Sequence, residues 1–258
     1  VIMLAPTTVL ADQHTELFKK RLNSLPINIE RLTRLESDKK SRQILKGLES
    51  GTIDIVIGTH RLLQKDIRLK NPGLLIIDEE QRFGVQHKET TKENYPSIDI
   101  LYLSATPIPR TLAFSLSGIR PISQLKEAPR GRMAPLTSVL PNSIEVIKAA
   151  LELEKNRGGQ TYYLSNRIHS ISGIRERLDK LVPKMKKGII HGKLREQEIV
   201  RAMREFRERK IDILISTTII ENGLDISSVN TLIVEDSSRL GLAQAHQIRG
   251  RIGRGGEQ

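Results

Sequence analysis

Short apolar runs alternate along the chain with longer stretches in which apolar residues recur every three or four positions. The short runs predict strands at Val1–Ala5, Ile29–Leu32, Ile53–Ile57, Leu74–Ile77, Ile100–Leu103 and Ile122–Leu125. A second set follows at Leu136–Leu140, Thr161–Leu164, Gly188–Ile190, Ile211–Ile215 and Leu232–Val234. Their hydrophobicity is mostly continuous rather than alternating, as in strands of a parallel sheet buried on both faces. The longer stretches predict helices. Thr8–Leu22 carries Leu10, His14, Leu17, Phe18 and Leu22 at helical spacing, and Leu194–Phe206 does the same with Ile199, Val200, Met203 and Phe206. Repeated βα units with right-handed crossovers give an α/β fold with doubly wound parallel sheets.

A chain of 258 residues is long for one such sheet and suits two. The stretch from Glu127 to Pro135 holds Pro129, Gly131 and Pro135 with little apolar content, so the linker is expected there. The expected layout is a first domain at 1–128, a linker at 129–135 and a second domain at 136–258. The opening Val1-Ile2-Met3 already reads as a buried strand, so the chain is expected to be a piece of a longer protein.

Composition narrows the function. The chain has no cysteine, which excludes a disulfide scaffold, thiolate catalysis and Cys-based zinc sites. The longest apolar runs fall far below the ~20 residues of a membrane span. The net charge is +12, with 19 basic against 15 acidic residues up to position 129 and 23 against 15 from 130 onward. Excess positive charge in both halves points to a polyanionic partner. Aromatic residues make up only 3%, and there is no Trp, so base stacking on aromatic platforms is a poor fit. Contact with a phosphate backbone fits better.

Ligands of open α/β sheets collect beyond the carboxyl ends of the strands. Leu74–Ile77 runs into Asp78-Glu79-Glu80-Gln81. A carboxylate at a strand tip suits a hydrated Mg²⁺, and the adjacent Glu79 suits the orientation of an attacking water. Ile100–Leu103 runs into Ser104-Ala105-Thr106, whose two hydroxyls suit either a hydrogen-bond relay or a helix cap. Pro6-Thr7-Thr8 suits a phosphate or a plain N-cap. In the second half Ile211–Ile215 runs into Ser216–Asp225, and Arg249, Arg251 and Arg254 follow near the end. Their rigid guanidinium forks match phosphate oxygens.

With these residues assembled, the chain resembles the superfamily 2 helicases. Ala5–Thr8 resembles their motif Ia, Ile57–Arg61 the DNA-facing motif after it, Asp78–Gln81 motif II and Ser104–Thr106 motif III. Ser216–Asp225 resembles motif V, and Gln247–Arg254 resembles motif VI, all six in family order and spacing. The longer strings Asp78–Glu89, Ala105–Leu112, Gly158–Leu164, Thr217–Glu221 and Gly241–Gln244 are similar to those of the bacterial transcription-repair coupling factors. Asn222 departs from the family, which usually has Thr or a similar small residue there.

The resemblance implies two tandem RecA-like domains and an ATP-driven translocase on double-stranded DNA, with ATP and Mg²⁺ as cofactors. The whole protein would displace stalled RNA polymerase and promote excision repair through domains outside this chain, in the cytoplasm. Asp78 would organise Mg²⁺ through water, Glu79 would activate the attacking water, and Arg251 and Arg254 would meet the γ-phosphate from the second domain. Gln81, Gly223, Asp225 and Gln247 would complete the nucleotide site, and Ser104 and Thr106 would couple the domains. Thr7, Thr8, Thr59, His60, Arg61, Asn166, Arg167, His191, Gly192, Thr217 and Thr218 would face DNA. His191 also suits a plain hydrogen-bonded histidine at a strand end.

The chain contains no Gly-x-x-x-x-Gly-Lys-Ser/Thr phosphate loop. The resemblance places that loop upstream of Val1. The piece alone is therefore expected to hydrolyse ATP poorly, and its first domain to be the less stable half. Two alternatives stay open: a RecG-like branch-migration helicase, and a non-catalytic nucleic-acid-binding module that keeps the fold.

Overall fold

The computed structural model describes residues 1–83, 95–104, 121–125, 127, 135–217, 226 and 228–253, excluding the side chains of 239 and 243. The chain divides into two compact units, Val1–Gln124 and Leu125–Gln258. Of the expected linker, only Pro135 lies among the described residues.

In the first unit β1 (Ile2–Leu4), α1 (Thr8–Arg21), β2 (Ile29–Leu32), α2 (Asp38–Ser50), β3 (Ile55–Gly58), β4 (Leu74–Asp78) and β5 (Asp99–Leu103) follow in order. The strands form one parallel sheet in the order β2-β3-β1-β4-β5, with Leu4 registered between Gly58 and Ile77. Alternation along the strands divides the core. Ile2, Leu4, Val56, Leu75 and Ile77 pack with Ile44 and Leu48 of α2 on one face. Met3, Ala5, Ile55 and Ile57 pack with Leu10 and Ala11 of α1 on the other. Both faces of the central strands β1 and β3 are covered, which is why they read as largely apolar runs, whereas the edge strand β5 leaves Leu101 and Leu103 exposed.

In the second unit α3 (Ile144–Asn156), β6 (Gln160–Ser165), α4 (Ile171–Leu181), β7 (Lys187–Ile190), α5 (Glu196–Arg207), β8 (Ile213–Ser216), β9 (Val229–Glu235) and α6 (Leu242–Arg249) follow in order. Its sheet is parallel in the order β7-β8-β6-β9. That order repeats the first four positions of the other sheet, with β6 in the place of β1 and β9 in the place of β4. Tyr163, Ile213 and Ile215 pack with Ile147 and Leu151 of α3 and Ile174 and Leu178 of α4. Tyr162 faces the other way, with its ring 5.3 Å from that of Phe206 on α5. The buried Gln160 amide donates to the carbonyls of Phe206 (2.7 Å) and Ile211 (2.6 Å), pinning the end of α5 to the sheet.

Two expected strands are corrected. Ile122–Leu125 and Leu136–Leu140 form no strand, and Ile122, Leu125, Leu136, Val139 and Leu140 are exposed. A strand needs a neighbour for its backbone groups, and neither segment pairs with a strand of the two described sheets. Among the described residues no helix is long and apolar enough to cross a membrane.

Candidate functional site

Because the first sheet is parallel, the ends of β1, β3, β4 and β5 open on one edge. This edge is where the expected motifs lie. At the tip of β4, Asp78 is about one-fifth exposed. Its Oδ1 accepts the backbone N–H of Glu79 at 2.9 Å, and its Oδ2 lies 2.8 Å from His14 Nε2 on α1. An ionised carboxylate only accepts, so His14 carries its proton on Nε2 and donates.

Glu79 adopts a left-handed backbone conformation, φ 50° and ψ 54°, which turns the chain sharply into a short 3₁₀ turn at Glu80–Arg82. A side chain other than glycine rarely takes this geometry, and it is common at functional turns. Gln81 Nε2 donates to Glu79 Oε2, and Ser104 Oγ at the end of β5 donates to Gln81 Oε1 at 3.0 Å. The structure thus joins Glu79, Gln81 and Ser104 in one hydrogen-bonded chain, with Asp78 beside it. Thr106 lies outside the described residues.

The other expected residues of this edge are held less freely. Thr7 caps α1, with its hydroxyl accepting the N–H of Leu10 at 3.3 Å, and Thr8 is buried. Thr59 is buried at the end of β3. The His60 ring stacks on Phe83 with centroids 4.7 Å apart, linking the turn after β3 to the turn after β4. Arg61 grips Asp66 in a bidentate pair at 2.8 and 2.6 Å, and this hydrogen bonding holds the Asp66 carboxyl below its usual pKa.

In the second unit β6 and β9 end beside a polar cavity of about 530 Å³. Asn142, Ser165, Asn166, Arg167, Arg177 and Glu235 are among its lining residues. Ser165 Oγ accepts the Arg167 N–H at 3.4 Å, and the Arg167 guanidinium sits 3.5 Å from Asp236. Asp236 repeats the left-handed geometry of Glu79, φ 57° and ψ 55°, at the end of β9. Arg177 donates to both Tyr163 Oη and Glu235, and Tyr163 Oη donates to Glu235 at 3.0 Å. Burial, then the Glu235 charge, pushes the Tyr163 phenol well above its usual pKa. His191 Nδ1 accepts the Lys193 N–H at 3.3 Å, which leaves Nε2 as the donor of the neutral ring, and Gly192 is exposed. Thr217 is buried at the end of β8.

Gln247 is half-buried on α6, and Arg251 in the turn after it is 8% exposed. Ile248 and Ile252 anchor this turn, and the Gly253 N–H returns to the Val229 carbonyl at 3.2 Å. Thr218, Gly223, Asp225 and Arg254 lie outside the described residues. The structure therefore brings together Asp78, Glu79, Gln81 and Ser104 within the first unit, and Asn166 and Arg167 within the second. His14 is the addition. Sequence reading counts it as one position of the apolar stripe of α1, and only the folded sheet puts it against Asp78.

Among the described residues no three His, Cys, Asp or Glu side chains form a metal cage. The donor set at the β4 tip still fits Mg²⁺. This ion keeps several waters and takes one or two carboxylates plus substrate phosphates, and Asp78 is a partly exposed carboxylate held by two hydrogen bonds.

Known proteins share this layout. Residues 1–114 match the family described as DEAD/DEAH box helicase, and residues 142–256 match the helicase conserved C-terminal domain. The chain is 49% identical over 254 residues to a transcription-repair-coupling factor of Bacillus subtilis (strain 168), covering 98% of this chain and 22% of that protein. It is 46% identical over 254 residues to the factor of Staphylococcus aureus (strain USA300), with the same coverage. The chain thus spans about a fifth of the length of these relatives. Among solved structures, RecG bound to a three-way DNA junction superposes with a TM-score of 0.76 at 38% identity, over 99% of this chain and 34% of that one. Dbp5 of S. cerevisiae, bound to RNA and ADP BeF3, superposes at 0.75 with 18% identity over 100% of this chain and 68% of that one, a likeness of fold. With a helicase family matched to each of its two α/β units in turn, and near-half identity to coupling factors along nearly all its length, the chain belongs to the superfamily 2 helicases.

Proposed function

We propose that this chain is the ATP-driven, double-stranded-DNA-translocating motor of a transcription-repair coupling factor. The whole protein would displace stalled RNA polymerase and promote nucleotide-excision repair. The observation that carries the chemistry is the β4 tip, where Asp78 lies beside the Ser104–Gln81–Glu79 chain. Asp78 would hold the magnesium ion through water. Glu79 would orient the attacking water and draw its proton toward Oε1 or Oε2. Magnesium bound with ATP neutralises charge on the β- and γ-phosphates. Gln81 steadies Glu79 and, through Ser104, links it to the end of β5. Arg251 and Arg254 are the cations this reading assigns to the γ-phosphate, with Gln247, Gly223 and Asp225 beside them.

The reading assigns DNA contact to Thr7, Thr8, Thr59, His60, Arg61, Asn166, Arg167, His191, Gly192, Thr217 and Thr218. The +12 charge and low aromatic content support contact with the phosphate backbone. Identities of 49% and 46% to coupling factors, against 38% to the RecG structure, favour the coupling-factor reading over fork remodelling.

The test is ATP turnover by this chain joined to the flanking segments of the Bacillus subtilis relative, with and without duplex DNA. Turnover stimulated by DNA and reduced at least ~10²-fold by Glu79→Gln is expected. Turnover that Glu79→Gln leaves unchanged would overturn the assignment.

A further inference from the structure

The sheet-facing stripe of α1 contains Leu10 and Ala11, both in the core between helix and sheet. His14 follows them at three and four residues, on the same stripe. An apolar side chain would pack this stripe at less cost, since a half-buried imidazole must find a partner. The partner it finds is Asp78, 64 residues away in sequence, at the tip of β4. A polar group on a core stripe, spent on one residue of a proposed site, is a local rule broken where function offsets the cost.

We infer that His14 is the positioning residue of Asp78, fixing its carboxylate for magnesium. The inference rests on the magnesium role proposed for Asp78. His14 Nε2 donates to Oδ2 at 2.8 Å, and the Glu79 N–H donates to Oδ1 at 2.9 Å. A carboxylate held at only one oxygen swings about its terminal torsion, which is broad and soft. Held at both, it keeps one plane, and each oxygen retains a lone-pair direction for a metal-bound water. His14 also ties the strand tip to the helix that starts at Thr7 and Thr8. The position of the carboxylate therefore follows that of α1 as well as that of β4. Groups that orient a metal-binding side chain in this way are worth about 10–100-fold in metal affinity.

The experiment titrates the isotope-labelled 258-residue chain with Mg²⁺ alone and follows the backbone amides of Asp78 and Glu79 by NMR. In the wild type both signals shift saturably, and the His14 ring signals move with them. His14→Ala is expected to weaken Mg²⁺ binding about tenfold while amides remote from α1 and β4 keep their wild-type positions. His14→Gln, which restores a donor, is expected to recover most of the loss, a rescue that a purely space-filling role would not give. If His14→Ala does not fold, His14→Phe, with a ring and no donor, makes the same comparison. A donor-free variant that binds Mg²⁺ as tightly as the wild type overturns the inference and leaves the magnesium role of Asp78 standing. A wild type whose Asp78 and Glu79 signals show no saturable shift overturns both.

Discussion

Gly58 ends β3, and a Cβ built on it would lie 2.1 Å from the backbone carbonyl oxygen of Leu32 on β2. A backbone atom in a paired strand cannot step aside as a flexible side chain can. Gly58→Ala is expected to destabilise the first unit by about 3 kcal/mol, read as faster amide exchange across β1, β2 and β3. The Arg61–Asp66 pair sets a pH dependence at the same scale. The folded-state pKa of Asp66 is lowered, chiefly by the Arg61 hydrogen bonds, from an ordinary value near 3.8. The folded state therefore binds fewer protons than the unfolded one across that interval. The stabilisation is complete above the ordinary value and is lost as pH falls through the lowered one. Urea midpoints of the wild type and Asp66→Asn are expected to differ above pH ~4 and to converge at lower pH. Asp78 and Glu79 are legible from sequence because an acidic pair directly after a buried strand must lie at a sheet edge. The bond from His14 is not, because a histidine at helical spacing looks the same whether it faces a carboxylate or fills space.

The two sheets repeat one plan, element by element. In each, the first strand lies between the third and the fourth, and the fourth ends in a left-handed residue followed by a 3₁₀ turn: Glu79 after β4, Asp236 after β9. Helix starts are locally encoded. Thr7, Ser37 and Ser143 each accept an N–H of the first turn of their helix. Thr7→Ala is expected to cost the first unit about 1 kcal/mol, measurable as a lower urea midpoint. At this scale sequence reading locates nine strands, eight to within two residues at each end and β9 three residues late at its start. It misplaces two further ones, at Ile122–Leu125 and Leu136–Leu140. The composition of those runs suits a strand, but a strand exists only where a neighbour completes its hydrogen bonds, and no local window contains the neighbour.

Over the whole molecule the excess charge lies in both halves, so DNA binding is expected to involve both units and to be dominated by phosphate contacts. Affinity for duplexes of unrelated sequence is expected to be similar. If about four phosphates are engaged, it should fall roughly 10²-fold between about 50 and 200 mM salt, by fluorescence anisotropy of a labelled duplex. Binding that is insensitive to salt would count against backbone tracking. By itself the sequence determined the parallel α/β class, the two-unit plan and the acidic strand tip, because periodicity and the residue after a strand are local properties. Only the tertiary structure decided which apolar runs became strands, that Ser104 reaches Glu79 through Gln81, and that His14 reaches Asp78. Those pairings depend on which strands lie side by side, and strand order is settled by packing both faces of the sheet at once rather than by any short stretch of chain.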